Sequence, residues 1–280
     1  DALPISDIPY IIGDMPKPWT PSVNVAWALQ QSWAAITGKG AVKWTKALAA
    51  RLLVHFVGDI HQPLHCTSMY KPIIFPDGDA GGNAIPCCYN QTFWHELHAL
   101  WDDAGTRYPY MPFPLNTFRR NQLTTEADEL MTMFPESVFE SELVNTGPDA
   151  FPVWANESHN FAVSVVYRNL TQFALNNVTL LSGEAPPDYI RAAIRTSQRQ
   201  LTLAGYRLKH ALLALDAHFP DLKETNTIPS WGVGVVVVCS ILFVFNMFLI
   251  IKWYKERAKR GDNEKIAYER SLHTGLSPNL

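Results

Sequence analysis

The chain has 280 residues, of which hydrophobic types make up 47%, so it is long enough to bury one sizeable core. Its formal net charge is -3 at pH 7. No overall positive field therefore attracts a nucleic acid, and a polyanionic substrate would have to be held by metal ions or by a few local side chains.

The first part of the chain is predicted to contain two helices. Residues 1–24 are rich in proline and lack periodicity, which predicts an extended loop that enters the domain. Apolar residues then recur at spacings of three and four over Val25–Thr37 and over Ala41–Asp59, which predicts a helix in each range. The Gln62-Pro63 pair ends the second helix, because proline cannot continue it.

The following segments predict a long loop and then more helices. Residues 66–90 are dense in glycine, proline and aspartate, so we expect a loop with a short strand at Lys71–Phe75. Helical periodicity returns in four further ranges, Gln91–Asp103, Thr117–Phe134, Phe151–Phe173 and Asp188–His218. No long alternating strand pattern occurs. The predicted fold class is therefore mainly α, a multi-helix domain.

An uncharged apolar run, Trp231–Ile251, is long enough to cross a bilayer as a helix. Five basic residues follow it directly, Lys252, Lys255, Arg257, Lys259 and Arg260, whereas residues 216–230 contain only Lys223 among Lys and Arg. The positive-inside rule therefore predicts a single-pass type I protein of the cell membrane. Residues 1–225 form its extracellular domain, and residues 252–280 form a cytoplasmic tail.

Two expectations follow from an exported domain. Residues 1–6 lack the basic start and apolar run of a signal peptide, so we expect the natural N-terminus to precede Asp1; a tail-anchored protein facing the cytosol is the alternative. Four Asn-x-Ser/Thr sites for glycosylation all precede the predicted span, at Asn90, Asn156, Asn169 and Asn177.

Four cysteines are distributed between the predicted outer domain and the predicted span. Cys66, Cys87 and Cys88 lie in the outer domain, and Cys239 lies in the span. An odd number in an oxidising compartment predicts one disulfide plus one remaining thiol. Cys66 bonded to Cys87 or to Cys88 would close the predicted loop, and the pairing taken forward is Cys66 with Cys87. Unbridged buried thiols are the alternative.

Two histidine–aspartate pairs of the same spacing and one further histidine stand out in the sequence. In the string HFVGDIHQPLH, His55 and Asp59 stand four residues apart, so they share one face of the predicted helix. His65 follows the proline break, which turns it back toward the same region. His98 and Asp102 repeat the spacing in LHALWD. Imidazole and carboxylate ligands in this pattern are suited to zinc.

Neighbouring residues carry weaker signals. A single histidine on a helix is usually a structural residue, but five such ligand types within 48 positions favour a metal site. The string WHELH is not a metalloprotease motif, because its histidines are three apart. We therefore interpret His61 and His95 as residues that support the ligands or lie at the surface, rather than as ligands. In DAGGN, Asn83 is predicted to contact a phosphoryl oxygen of the substrate or a ligand carboxylate, although such a string is often only a turn.

The strings HFVGDIHQPLH, GGN and LHALWD resemble, in order and in type, the central motifs of the three-zinc single-strand nucleases of fungi and plants, which are grouped with bacterial zinc phospholipase C. Trp154–Ser158 and Leu203–Leu208 resemble later helices of that family, and the resemblance covers roughly residues 1–218. With the predicted span and basic tail, the chain is similar to the membrane-bound 3′-nucleotidase/nucleases of trypanosomatid parasites. The resemblance implies a zinc phospholipase C/nuclease-like domain followed by one C-terminal transmembrane helix.

The resemblance also implies a ligand set. It assigns one zinc to His65, His98 and Asp102, a second zinc to His55, and to Asp59 the role of a catalytic carboxylate that bridges the second zinc to a third. The family supplies four further ligands near its N-terminus, a Trp, a His, an Asp and a second His; the first three would lie before Asp1, and the last would align with Pro4. As written, the chain is therefore expected to complete one of the three zinc sites.

An activity and two alternatives follow from this comparison. The resemblance implies hydrolysis of single-stranded RNA or DNA and of 3′-nucleotides by a metal-activated water, with Asp7 as a contact to the base. A phospholipase C is the alternative enzyme, because the same metal cluster cleaves lipid phosphodiesters. A catalytically impaired or inert membrane-anchored protein with one structural zinc is the alternative from another class.

Overall fold

The computed structural model of the protein describes residues 8–18, 22–89, 93–108, 114–171 and 185–219. All of them lie within one compact unit that spans residues 1–220. Helices make up most of this part of the chain, which confirms the mainly α fold class.

Two helices pack against each other at the start of the described fold. Helix α1 spans Val25–Thr37, as predicted, and the side chain of Asn24 caps it by accepting from the Trp27 N–H at 3.0 Å. Helix α2 spans Lys43–Asp59, two residues shorter at its start than predicted. A single 3-10 turn, Pro63–Cys66, follows α2, because Pro63 cannot extend the helix.

Two small two-stranded sheets lie where the sequence predicted an entry loop, a long loop and the start of a helix. Strand β1, Ile8–Ile11, runs parallel to β2, Thr67–Tyr70, with Ile8 opposite Thr67. The entry segment is therefore partly a strand. The strand predicted at Lys71–Phe75 is wrong, since these two residues form only an isolated bridge across a turn in which Ile73 has φ of 72°. The pairing of β1 with β2 joins distant segments, so local periodicity could not reveal it.

The single helix predicted over Gln91–Asp103 is also wrong. Strand β3, Pro86–Tyr89, pairs antiparallel with β4, Phe93–Glu96, so that Pro86 lies opposite Glu96. Helix α3 begins only at Leu97 and ends at Asp102. Hydrogen bonding across the hairpin holds residues 93–96 extended, and the helix is confined to the six residues that carry LHALWD.

The remaining elements are helical. Helix α4 spans Thr117–Met133, and a 3-10 segment, Glu136–Glu142, follows it. The predicted helix from Phe151 is interrupted: α5, Phe151–Phe161, leads into a π-helical turn, Ala162–Tyr167, and then into the short α6, Arg168–Thr171. Helix α7 spans Pro187–Leu215 and is followed by a 3-10 turn, Asp216–His218.

Two hydrophobic cores meet at the 3-10 turn after α2. The first core joins α1, α2, α5 and α7 around buried side chains that include Leu29, Leu53 and Trp154. The second core joins β2, β3, α3, the π-helical turn and the start of α7. Cys66 packs into the first core and Leu64 into the second, and both are fully buried. The turn between them is therefore fixed from both sides.

The predicted Cys66–Cys87 disulfide is not formed. Cys66 lies in the first core, where its Sγ donates to the Ile60 carbonyl at 3.4 Å, and Cys87 lies in the second core. Packing into separate cores keeps these two sulfurs from bonding to each other. The side chain of Cys88 lies outside the described part of the structure.

No helix of the described residues combines the length and apolar character that a bilayer crossing requires. The predicted span, Trp231–Ile251, and the predicted tail, residues 252–280, lie outside those residues.

Adjacent leucines on α2 provide a test of the first core. Leu53 is fully buried and Leu52 is 39% exposed. We expect Leu53→Ala to lower the free energy of unfolding by about 2–5 kcal/mol, since it leaves a cavity. Leu52→Ala should cost less than about 1 kcal/mol. Urea denaturation measures both, and equal losses would contradict the described packing.

Candidate metal centre

The last turn of α2 carries the first two side chains of the site. His55 and Asp59 stand one turn apart, and His55 Nε2 lies 3.2 Å from Asp59 Oδ2. The His55 side chain is 67% exposed and that of Asp59 is 23% exposed. The pair therefore lies at the surface end of the cluster, with the carboxylate directed inward.

The 3-10 turn after Pro63 brings His65 to the same place. His65 Nδ1 lies 3.8 Å from Asp59 Oδ1, and His65 Nε2 lies 3.2 Å from Asp102 Oδ1. His65 thus stands between a carboxylate of the first motif and a carboxylate of the second. The buried neighbours Leu64 and Cys66 hold the turn on either side of it.

Helix α3 supplies the other two side chains. His98 Nε2 lies 3.5 Å from Asp102 Oδ2, as the spacing of four predicts for one helix face. The rings of His65 and His98 are stacked, with centroids 4.9 Å apart and planes inclined by 15°. The structure therefore brings all five predicted side chains into one continuous cluster.

Three of the five residues can share one cation. His65, His98 and Asp102 each offer a ligand atom, and these atoms lie within 4.8 Å of one another. Two imidazoles and one carboxylate are ligands that zinc accepts. Among the described residues this is the one such group.

The two carboxylates have different environments. Burial raises the pKa of Asp59, and the nearby His65 and His55 act against that rise. For Asp102, burial acts in the same sense, but hydrogen bonds from His65 and Gln62 outweigh it and hold the pKa below the usual range. Asp102 is therefore the more readily ionised of the two.

A glycine turn fixes the orientation of His98. His98 Nδ1 lies 2.8 Å from the carbonyl oxygen of Gly81. A carbonyl can only accept, so Nδ1 carries the hydrogen and Nε2 directs its lone pair toward Asp102. Gly81 and Gly82 have φ of +62° and +85°, and a Cβ at Gly81 would lie 2.7 Å from the Leu64 carbonyl oxygen. Only glycine permits this turn to approach both motifs so closely.

Asp79 holds the other end of that turn. Its buried carboxylate accepts from the Met69 N–H at 2.8 Å, the Ser68 hydroxyl at 3.1 Å and the Tyr167 hydroxyl at 2.8 Å. Burial raises the pKa of Asp79, and these donated hydrogen bonds act in the opposite sense. Tyr167 belongs to the π-helical turn, which therefore contributes to the shape of the site from a distance.

Two residues inside the first motif have roles that the sequence did not indicate. Gln62 Nε2 donates to Asp102 Oδ1 at 2.8 Å and so connects the two motifs. His61 is buried rather than exposed, and burial and the charge of Arg207 lower its pKa to about 3. The position of Gln62 directly before the proline is the one sequence feature that could have indicated its contact with the second motif. Nothing in the sequence indicates the contact between His61 and Arg207.

The remaining predicted functional residues are not part of the five-residue cluster. Asn83 is exposed, and its Nδ2 donates to the Ala80 carbonyl at 2.8 Å within the turn. Asn156 is exposed on α5, with Nδ2 donating to the Pro152 carbonyl at 3.0 Å. Asp7, Asn90 and Asn177 lie outside the described residues, as do the side chains of Asn169 and His95.

A family model described as S1/P1 nuclease matches residues 11–215 of the chain. Among curated proteins, endonuclease 4 of Arabidopsis thaliana is 28% identical over 178 residues, which cover 59% of this chain and 49% of that protein. Nuclease S1 of Aspergillus oryzae is 26% identical over 168 residues, 57% of this chain and 51% of that protein.

Endonuclease 3 of Arabidopsis thaliana is 30% identical over 165 residues, 56% of this chain and 51% of that protein. The chain therefore spans about half the length of the curated relatives it matches. The matched region, residues 11–215, contains all five side chains of the cluster, whereas Asp7 precedes it.

The glycine turn provides a test of how His98 is held. We expect Gly81→Ala to weaken zinc binding by roughly tenfold or more, because the methyl group displaces a backbone that orients a ligand. Titration calorimetry with zinc measures the change.

Gly40→Ala is the matched control. Gly40 also has a positive φ, +84°, but nothing lies within 4 Å of its added Cβ. This variant should lose only about 1–2 kcal/mol of stability from backbone strain, with unchanged zinc affinity. Equal effects of the two variants on zinc binding would contradict the role of the Gly81 turn.

Proposed function

Because this chain belongs to the S1/P1 nuclease family, we propose that it is a zinc-dependent phosphoesterase that hydrolyses single-stranded nucleic acid and 3′-nucleotides. The observation that supports this most strongly is the group formed by His65, His98 and Asp102, whose ligand atoms lie within 4.8 Å of one another. Asp59 and His55 extend the same cluster on its exposed side.

The donor set fits zinc, with His65, His98 and Asp102 as the residues that would hold it. Bound zinc supplies an activated water at neutral pH and stabilises negative charge on a phosphoryl group. The chain's own residues provide orientation: the Gly81 carbonyl fixes the His98 ring, and Gln62 fixes Asp102. Little reorganisation of these side chains would then be needed during the reaction.

Asp59 is proposed as the catalytic carboxylate, adjacent to the three-residue group. Its Oδ1 faces His65 and its Oδ2 faces His55, so the two oxygens point to different imidazoles. As the family resemblance implies, this carboxylate would bridge the second cation, assigned to His55, to a third, and both of these cations would need further ligands.

Substrate contacts are proposed for two residues. Asn83 follows directly after the turn that contacts His98, and one of the two hydrogens on its Nδ2 is used within that turn. The other hydrogen can donate to a phosphoryl oxygen. Asp7 is proposed to contact the base, as the family resemblance implies.

The chain is proposed to act at the cell surface, as a single-pass type I membrane protein. The uncharged run Trp231–Ile251 and the basic residues that follow it support this topology. The proposed glycosylation sites, Asn90, Asn156, Asn169 and Asn177, all precede that run.

An inert protein with one structural zinc is the second candidate. The observation that favours it is that the one group of three possible ligands among the described residues does not include His55 or Asp59. Such a chain would bind zinc through His65, His98 and Asp102 yet release no phosphate from 3′-nucleotides. The activity test therefore separates the two candidates.

We expect the full chain to release phosphate from 3′-AMP. In the double variant His65→Ala, Asp102→Ala, the rate of phosphate release should fall to the background rate, because two ligands of one ion are lost. Removal of zinc with a chelator should have the same effect. Phosphate release in a continuous assay is the measurement. His210→Ala is the control and should retain activity. His210 lies on α7 and pairs with Glu136.

The same assay on cells that express the chain tests its topology. Intact cells should hydrolyse 3′-AMP added to the medium. Activity that appears only after lysis would contradict the extracellular placement without affecting the chemistry. Full activity of the double variant would contradict the proposed reaction itself.

A further inference from the structure

Three segments that are far apart in sequence meet at one buried arginine. Arg207 lies on α7, and its side chain is 1% exposed. Its Nη1 lies 2.9 Å from His61 Nε2, and its Nη2 forms an ion pair with Glu157 Oε2 at 2.7 Å. Its guanidinium also lies 4.8 Å from the centroid of the Trp154 ring. The string HFVGDIHQPLH and the segments Trp154–Ser158 and Leu203–Leu208 therefore share one contact network.

The contact between Arg207 and His61 is a directed hydrogen bond. His61 Nδ1 lies 2.7 Å from the Val57 carbonyl oxygen, which can only accept, so Nδ1 carries the ring hydrogen. Nε2 then offers a lone pair, and the Arg207 N–H donates to it. This arrangement occupies both ring nitrogens of His61 and prevents it from acting as a metal ligand.

The backbone of the same turn is held by other groups from α5 and α7. The Ser158 hydroxyl donates to the Ile60 carbonyl at 2.6 Å, and Gln200 Nε2 donates to the His61 carbonyl at 3.5 Å. This turn, residues 60–62, directly follows Asp59. Its last residue, Gln62, donates to Asp102 and thereby reaches the candidate metal centre.

A buried arginine contributes little net stability to a fold. Apolar replacements of buried ionic networks are often neutral or stabilising, because desolvation of charge is costly. The planar guanidinium, however, offers five N–H donors in a fixed geometry. Arg207 donates to His61 and to the Glu142 carbonyl, which accepts from Nε at 3.3 Å and from Nη2 at 3.1 Å, and it forms an ion pair with Glu157. The network is therefore better suited to fixing a geometry than to adding stability.

We propose that Arg207 is a positioning residue for the metal centre, which holds turn 60–62 so that Asp59, Gln62 and His65 keep their spacing to Asp102. The effect of Arg207 on zinc binding rests on the proposed function. Its hold on turn 60–62 does not depend on bound zinc. Arg207 contacts none of the five side chains of the cluster through a described hydrogen bond, and its influence passes through His61.

Arg207→Met removes the donors while keeping an unbranched apolar side chain. We expect amide hydrogen exchange of residues 60–62 and 64–66 to become at least about tenfold faster, while the exchange of α1 stays unchanged. We also expect zinc affinity, measured by competition with a chelator of known affinity, to fall roughly 10–100-fold. Arg207→Lys retains a charge with fewer donors and should give intermediate values.

Leu215→Ala is the matched control for lost packing on α7. Leu215 is fully buried in the first core, eight residues beyond Arg207, which is about 12 Å along the helix. This variant should lower the melting temperature, while zinc affinity should change less than about threefold.

The outcomes are separable. Equal losses of zinc affinity in Arg207→Met and Leu215→Ala would overturn the positioning role, because general destabilisation would explain both. Unchanged exchange of residues 60–62 and 64–66 in Arg207→Met would overturn it as well. If the wild-type chain bound no zinc, the proposed function would fail on that result alone, and the exchange measurement would still decide whether Arg207 holds the turn.

Discussion

The carboxylate of Asp102 joins the two halves of the candidate site. Its Oδ1 accepts from Gln62 at 2.8 Å and lies 3.2 Å from His65 Nε2, while its Oδ2 lies 3.5 Å from His98 Nε2. The Asp102 side chain is 46% exposed, so water and the neighbouring donors together stabilise its negative charge. Here a neutral amide and two imidazoles face it, which is the environment that a bound cation would complete. The hydrolytic chemistry proposed for the chain depends on this convergence.

Backbone turns, rather than the helices themselves, decide whether the five side chains can meet. His65 is placed by a 3-10 turn whose neighbours are buried in two different cores, and His98 by a strand-to-helix junction. The Gly81 carbonyl fixes the His98 ring through a hydrogen bond to Nδ1. Arg207 contacts His61 in the turn before His65. Residues other than the five side chains of the cluster therefore support its geometry.

The helices with long apolar periodicity, α1 and α7, were predicted closely because their signal is local. The short elements were not: β1 pairs with β2 from a distant part of the chain, and β4 interrupts a stretch that reads as one helix. The same distinction applies to the site. The spacing of His55 and Asp59 predicted their contact, since one helix turn determines it. The partner of His61, by contrast, is Arg207, which lies 146 residues further along the chain, and no local pattern encodes such a contact.

Zinc content of the purified full chain tests the central claim most directly. The wild type should retain at least one zinc per chain after dialysis, and His98→Ala should lose it, because one of the three ligands of that ion is removed. A wild-type chain without zinc, or a His98→Ala variant that retains zinc at the wild-type level, would contradict the proposed metal centre.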